Sequence, residues 1–241
     1  MLLLLAAGLI GGIVNALAGG ATLITFPAML AAGLPPVVAN ASNAVAISPG
    51  HLIAALVDRR QLPAADRRLL AAILAAVAGG AAGAALLLAL PDHVFLQPVP
   101  ALIGGSTLLF ALGPRLQAWA GRRHGGGLVP LGLASVYGGF FGAGLGIILT
   151  MVLSLDRATE IRAVKARKNL LATCVSLAAT ALFVIRGVVA WPETLVMLAG
   201  ALAGGYAGGH LIRVLPAPVV RTGVIVVGGI LTVVYAVRIW F

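Results

Sequence analysis

The run MLLLLAAGLIGGIVNALAGGATLITFPAMLAAGLPPVVANASNAVAISPGHLIAALV, residues 1–57, holds no charged side chain. An apolar stretch of roughly 18 or more residues is enough to cross a bilayer as a helix, so this run is too long for one crossing and belongs in a membrane. The rest of the chain repeats the pattern. Uncharged stretches occupy 69–91, 94–114, 128–155, 169–185, 194–212 and 222–237, with the charges gathered between them. Of all 241 residues, 61% are hydrophobic and 9% charged, where a soluble domain carries about a quarter charged. The composition excludes an ordinary soluble domain and predicts an all-α polytopic membrane protein.

The formal charge of +10 does not point to nucleic acid, because the 16 Lys and Arg sit in short loops between apolar runs with Trp119 the one aromatic near a cluster. Cations placed this way set topology and meet anionic lipid on the cytoplasmic side. The lipid bilayer is the expected partner. Cys174 is the single cysteine and lies in an apolar run, which leaves no intrachain disulfide and no Cys-x-x-Cys motif. No cofactor is expected. Met1 runs straight into four leucines without a basic segment, so the N-terminus is expected to belong to the membrane domain and not to a signal peptide.

The two halves resemble each other. Gly11-Gly12 aligns with Gly138-Gly139, Asn43-Ala44-Val45-Ala46 with Asn169-Leu170-Leu171-Ala172, Arg60 with Arg186, Gly79-Gly80-Ala81-Ala82-Gly83 with Gly204-Gly205-Tyr206-Ala207-Gly208, and Leu90-Pro91 with Leu215-Pro216, at offsets of 125 to 127 residues. A nearly constant offset argues for duplication, as in many secondary transporters. The chain divides into a first repeat at 1–120, a short cytoplasmic connector at 121–127 and a second repeat at 128–241. Gly19-Gly20 and Pro27 interrupt the opening segment of the first repeat, and Gly142, Gly144 and Gly146 that of the second. Eight simple spans would divide the cations nine to seven. If each opening segment instead dips in and returns, the loops 58–68, 114–127, 156–168 and 213–221 share one face and hold fourteen of the sixteen cations, leaving Arg186 and Arg238 opposite. That bias selects two inverted repeats, each a re-entrant segment followed by three transmembrane helices.

Asn15-Ala-Leu-Ala-Gly-Gly-Ala-Thr22, Ala39-Asn-Ala-Ser-Asn-Ala-Val45, Pro49-Gly50, Tyr137-Gly-Gly-Phe-Phe-Gly-Ala-Gly144, Lys168-Asn169 and Trp191 together resemble the sulfite exporter TauE/SafE-like family of membrane transporters. The resemblance covers essentially the whole chain. It implies transport of small sulfur-containing or organic anions such as sulfite or sulfonates across a bacterial cytoplasmic membrane. Ala21, Ser42 and His51 depart from the family's usual glycine, threonine and serine.

A glycine break inside a membrane leaves backbone groups that need a cavity or protein partners. Half-helices beginning near Ala21-Thr22 and Leu145-Gly146 would aim free N–H groups and a positive dipole end at the protein centre, a ready site for an oxyanion. Gly20 and Gly146 allow close approach there, and Thr22 adds a hydroxyl donor. Asn40, Ser42 and Asn43 fall at the start of the next helix, with Lys165, Lys168 and Asn169 at its repeat mate. Residues three or four apart share a helical face, amides bring donors and acceptors, and a lysine brings countercharge; the alternative reading makes Lys165 and Lys168 cytoplasmic loop cations. Asn43 and Asn169 are expected to line one cavity. His51 in an apolar helix either relays a proton or is a neutral histidine bonded to a neighbouring helix; the second is favoured. His93, His124 and His210 read as loop or interfacial residues, Gly79-x3-Gly83 and Gly204-x3-Gly208 as packing spacings, and Gly142-x-Gly-x-Gly146 as no dinucleotide fingerprint.

All six acids lie near segment ends. With none expected in the core, the transported species is expected to be anionic. No GxxxxGK[ST] sequence occurs, so any energy is expected from an ion or substrate gradient or from a separate partner. The leading expectation is a secondary carrier, with an anion channel or an integral-membrane enzyme as the alternatives; whether a proton or sodium ion is coupled is left open, as are metal-free details of the site, where no metal is expected. Cysteines at Gln61 and Ala158, in a background lacking Cys174, are expected to react with an impermeant thiol reagent from the same, cytoplasmic, face; labelling from opposite faces rejects the re-entrant arrangement.

Overall fold

A computed structural model describes residues 1–17, 20–62, 66–120, 127–155, 161–211 and 217–241. Most of the connector at 121–127, with His124, and also Gly19, Arg213, Leu215 and Pro216 lie outside the described residues. Within them the chain forms α1 (Leu2–Leu17), α2 (Thr22–Ala31), α3 (Pro36–Asp58), a 3-10 turn (Arg59–Gln61), α4 (Arg67–Ala89), α5 (Asp92–Leu96), α6 (Val99–Ala120), α7 (Leu128–Phe140), α8 (Leu145–Ser154), α9 (Ile161–Ile185), α10 (Trp191–Leu211) and α11 (Ala217–Trp240), and no strand. The all-α expectation holds. The segments 67–89, 92–120, 162–185 and 219–240 are long and apolar enough to cross a membrane. Helices α3 and α10 match them in length, at 23 and 21 residues. The polar residues that dilute α3, Asn40, Ser42, Asn43 and Ser48, are buried in the protein and not turned to the bilayer, as intramembrane polar groups must be.

Local chemistry fixes the helix ends. Asp66 caps α4 by accepting the Leu69 N–H at 2.7 Å, and Asp92 accepts the Val37 N–H at 2.9 Å, satisfying a donor that the first turn of α3 leaves free. Prolines inside helices release carbonyls four residues back, and those released by Pro49 and Pro114 have takers. The Val45 carbonyl, freed by Pro49, accepts Ser48 Oγ at 3.1 Å. The Phe110 carbonyl, freed by Pro114, accepts Arg221 Nε at 3.1 Å and Nη2 at 2.9 Å, and Nη2 also reaches the Ala111 carbonyl at 2.7 Å.

The first helix of each half packs on a helix of the other half: α1 lies on α10 and α7 on α4. Both pairs approach backbone to backbone. A Cβ at Gly204 would fall on the Leu9 carbonyl oxygen, one at Gly12 on that of Ala201, one at Gly83 on that of Val136 and one at Gly139 on that of Gly80. These are the contacts that the Gly-x3-Gly spacings predict. Their register also sets direction. Gly200, Gly204 and Gly208 meet Leu5, Leu9 and Ile13 in rising order, so α1 and α10 run the same way; Gly79 and Gly83 meet Gly132 and Val136, so α4 and α7 do too. In contrast α6 and α11 are antiparallel, with Gly104 against Thr232, Thr107 against Gly228 and Gln97 bonded to Trp240.

The ends of the bundle follow. Asp58 meets Lys165 at one end, whereas Val37 meets Asp92 and Ser42 meets Ala190 toward the other. Among the described residues Arg59, Arg60, Arg67, Arg68, Arg115, Arg162, Lys165, Arg167, Lys168 and Arg221 sit toward the first end, and Arg186 and Arg238 toward the second.

Gly83→Ala is expected to destabilise the protein by about 1–3 kcal/mol, the usual cost of overpacking, seen as a lower melting temperature in detergent. Gly105→Ala, where nothing stands within 4 Å, is expected to stay within about 0.5 kcal/mol of the parent.

Candidate functional site

The two helix breaks are built differently but reach the same place. Between α1 and α2, Gly20 adopts φ +121° and the Phe110 ring stands 2.7 Å from where its Cβ would be, so only glycine fits. Between α7 and α8, Gly142 and Gly144 take φ +77° and +80°, the left-handed region that glycine enters without strain. Side chains claim two carbonyls of the second break. Tyr137 Oη donates to the Ala143 carbonyl at 2.7 Å, Ser106 Oγ lies 2.8 Å from Tyr137 Oη and 3.2 Å from the same carbonyl, and Asn40 Nδ2 donates to the Phe140 carbonyl at 2.8 Å. Helices α2 and α8 begin at Thr22 and Leu145, as the sequence predicts, and no side chain caps either N-terminus.

Both uncapped ends open into a cavity of about 840 Å³. Its wall takes Asn15 from α1, Gly20 and Thr22 at the first break, Gly144 and Gly146 at the second, and one face each of α3 and α9. The α3 face is Ile47, Gly50, His51, Ala54 and Asp58; the α9 face is Lys165, Lys168, Asn169 and Ala172. These positions recur every three to four residues, the signature of one helical face. The lining runs from exposed Val57 and Tyr206 and a 65% exposed Lys165 side chain at the cation-rich end to buried Thr22, Leu145 and Ala172. Toward the opposite end stand four aromatic rings in edge-to-face contact: Phe26 with Phe95 at 6.3 Å and with Phe141 at 5.3 Å, and Phe95 with Phe140 at 5.6 Å. Phe26 and Phe95 are fully buried.

Of the residues singled out in the sequence, Gly20, Thr22, His51, Gly146, Lys168 and Asn169 therefore meet around one cavity. Asn40, Ser42 and Asn43 do not line it. Asn40 holds the end of α7, and Ser42 Oγ accepts the Ala190 N–H at 3.0 Å where the chain turns into α10. Asn43 is 1% exposed, and its Oδ1, like that of Asn40, has no partner among the described residues. In this conformation Asn43 and Asn169 do not share the cavity, because Asn43 lies four turns from Asp58 on α3 while Asn169 reaches Asp58 directly.

The sequence reading missed Asp58. It was expected at a segment end, outside the core; it ends α3, yet it is 5% exposed and lines the cavity. Its Oδ2 accepts Asn169 Nδ2 at 2.6 Å and lies 3.6 Å from Lys165 Nζ. The signal was present: Asp58 falls seven residues after His51, two turns along the same face. Asn15, Gln117 and Thr150 also line the cavity and were not singled out. Among the described residues no cluster of His, Cys, Asp and Glu is arranged to hold a metal ion.

A membrane-embedded bundle with paired helix breaks around a polar central cavity is the build of a transport protein. The sulfite exporter TauE/SafE family model matches residues 4–235, and the chain belongs to that family. A probable membrane transporter protein of Haemophilus influenzae is 26% identical over 234 residues, covering 95% of this chain and 92% of the relative. The probable membrane transporter protein YfcA of Escherichia coli K12 is 26% identical over 230 residues, covering 93% and 85%. No solved structure matches the chain.

Tyr137→Phe removes the shortest bond to the Ala143 carbonyl and is expected to cost about 1 kcal/mol, with the Tyr137→Phe, Ser106→Ala pair costing more because the carbonyl then stands alone. Thermal unfolding in detergent reads both, with Tyr206→Phe, an exposed ring, as the unchanged control.

Proposed function

We propose that this protein is a secondary carrier, in the bacterial inner membrane, that exports small sulfur-containing or organic anions by alternating access. One observation carries the reading: the two uncapped helix starts at Thr22 and Leu145 share a single cavity with Lys168, Lys165 and Asn169. Helix N-termini and ammonium groups are the standard partners of an oxyanion, and the family's description, sulfite exporter, names an anion of that kind.

Inverted repeats account for the packing. Exchanging α1, α2, α3, α4 and α6 with α7, α8, α9, α10 and α11 turns the α1–α10 contact into α7–α4, α2–α3 into α8–α9, α3–α10 into α9–α4, and α6–α8 into α11–α2, and every one of these contacts is made. The cavity opens toward the cation-rich end, which the positive-inside bias makes cytoplasmic, and the cluster of Phe26, Phe95, Phe140 and Phe141 closes the other side. An inward-open carrier has this arrangement. A rocking motion that parts the four rings and closes the α3–α9 mouth gives the outward-open form.

Purified protein in proteoliposomes, tested with sulfite, sulfonates and carboxylates, is expected to show saturable flux with counterflow. Flux that rises linearly without counterflow makes the protein a channel, and transport of cations alone rejects the anion reading. Thr22→Val and Lys168→Gln, in the cavity, are each expected to lose about 1–3 kcal/mol of anion binding, roughly five- to 150-fold in affinity. Asn43→Leu, outside it, is expected to bind like the parent.

A further inference from the structure

The best donors for an anion in this cavity are already in use. Asn169 Nδ2 gives its hydrogen bond to Asp58 Oδ2 at 2.6 Å, and Lys165 Nζ stands 3.6 Å from the same oxygen. A carboxylate is itself an oxyanion, with the geometry and charge that a sulfonate or carboxylate substrate would bring. We propose that Asp58 is a tethered counter-anion, which occupies the substrate's donors while the cavity is free and must be displaced when an anion binds. The proposal rests on the anion reading above.

Charge bookkeeping says why displacement is needed. Among the described residues the charged groups lining the cavity are Asp58, Lys165 and Lys168, a net of +1. His51, on the same face of α3, and Tyr206 of α10 are the other titratable groups there, and Arg59 and Arg60 of the turn after α3 are exposed. A dianion entering beside Asp58 would leave the cluster at −1, in surroundings that screen charge poorly. With the Asp58 carboxylate swung away, two lysines face a dianion and the charges match. Asp58 is then a positioning residue that sets which anion valence is accepted.

The same bond has a mechanical side. Asp58 is the last residue of α3, and its partners are on the second and third turns of α9, so the carboxylate ties the two helices together at the cavity mouth. An anion that takes Asn169 and Lys165 from Asp58 releases that tie. Binding therefore alters the α3–α9 contact directly, which is the differential interaction a substrate needs in order to shift a conformational equilibrium.

The test uses the full-length protein in detergent. Sulfite as the dianion and methanesulfonate as the monoanion are titrated calorimetrically into the parent and Asp58→Asn. The variant is expected to bind both more tightly, the dianion by tenfold or more and by a larger factor than the monoanion. Equal or weaker binding by a folded Asp58→Asn, with the parent binding normally, overturns the tethered-anion role and leaves the anion site standing. No binding by either protein overturns the anion site itself, and this proposal with it. A measurement on an intact Asp58 guards against a variant that fails to fold: spin labels at Gln61 and Arg162, in a background lacking Cys174, are expected to move apart when sulfite is added. An unchanged distance at saturating sulfite overturns the proposal.

Discussion

Every backbone group inside a membrane needs a partner, since hydrocarbon supplies none; this protein breaks two helical segments inside its bundle and uses polar side chains to meet part of that demand. The turn at 141–144 stands because Tyr137 and Ser106 hold the Ala143 carbonyl and Asn40 holds that of Phe140. Pro49 and Pro114 are accommodated inside helices because Ser48 and Arg221 take the carbonyls they release. No side chain caps the starts of α2 and α8, where the Leu23 and Leu145 N–H groups turn to the Gly20 and Gly142 carbonyls of the breaks themselves. Both starts face the cavity.

The same accounting explains how far the sequence could be read. Uncharged runs gave the membrane and the helices, and the glycine-rich stretches gave both breaks to within a residue, because glycine there answers a local need: φ +121° at Gly20, φ +80° at Gly144. The Gly-x3-Gly spacings were equally legible, being written on one helix each. What could not be read was direction of facing. Asn40, Ser42 and Asn43 share a polar segment with the look of a binding motif, yet Asn40 and Ser42 serve carbonyl and amide groups of segments 100 and 148 residues away. Only the packing of α3 against the α7–α8 break reveals that.

Asp58 shows the converse. A carboxylate beside four arginines in the sequence reads as part of a solvated loop, and Arg59, Arg60, Arg67 and Arg68 do sit in that segment. Its burial depends on α9 lying across the end of α3, a contact 111 residues away. The repeat offset pointed to Asn169 through Asn43, and the structure pairs Asn169 with a residue that has no counterpart in that alignment. The repeat offset drew attention to Asn169 and suggested Asn43 beside it, whereas the residue it touches is Asp58.

The antiparallel pair α6 and α11 is fastened at two separated points, Arg221 to the Phe110 and Ala111 carbonyls and Trp240 to the Gln97 carbonyl at 3.0 Å. Two fasteners remove the freedom to pivot that one would leave. The pair is therefore a strut. Its stiffness sits just before Pro114 of α6, where a helix would ordinarily bend most easily, because the guanidinium bridges the Phe110 and Ala111 carbonyls there. Any motion that opens one end of the bundle has to be borne by the helices that this strut braces, and Arg221, counted by its charge among the cations of a loop, earns its place as a rivet.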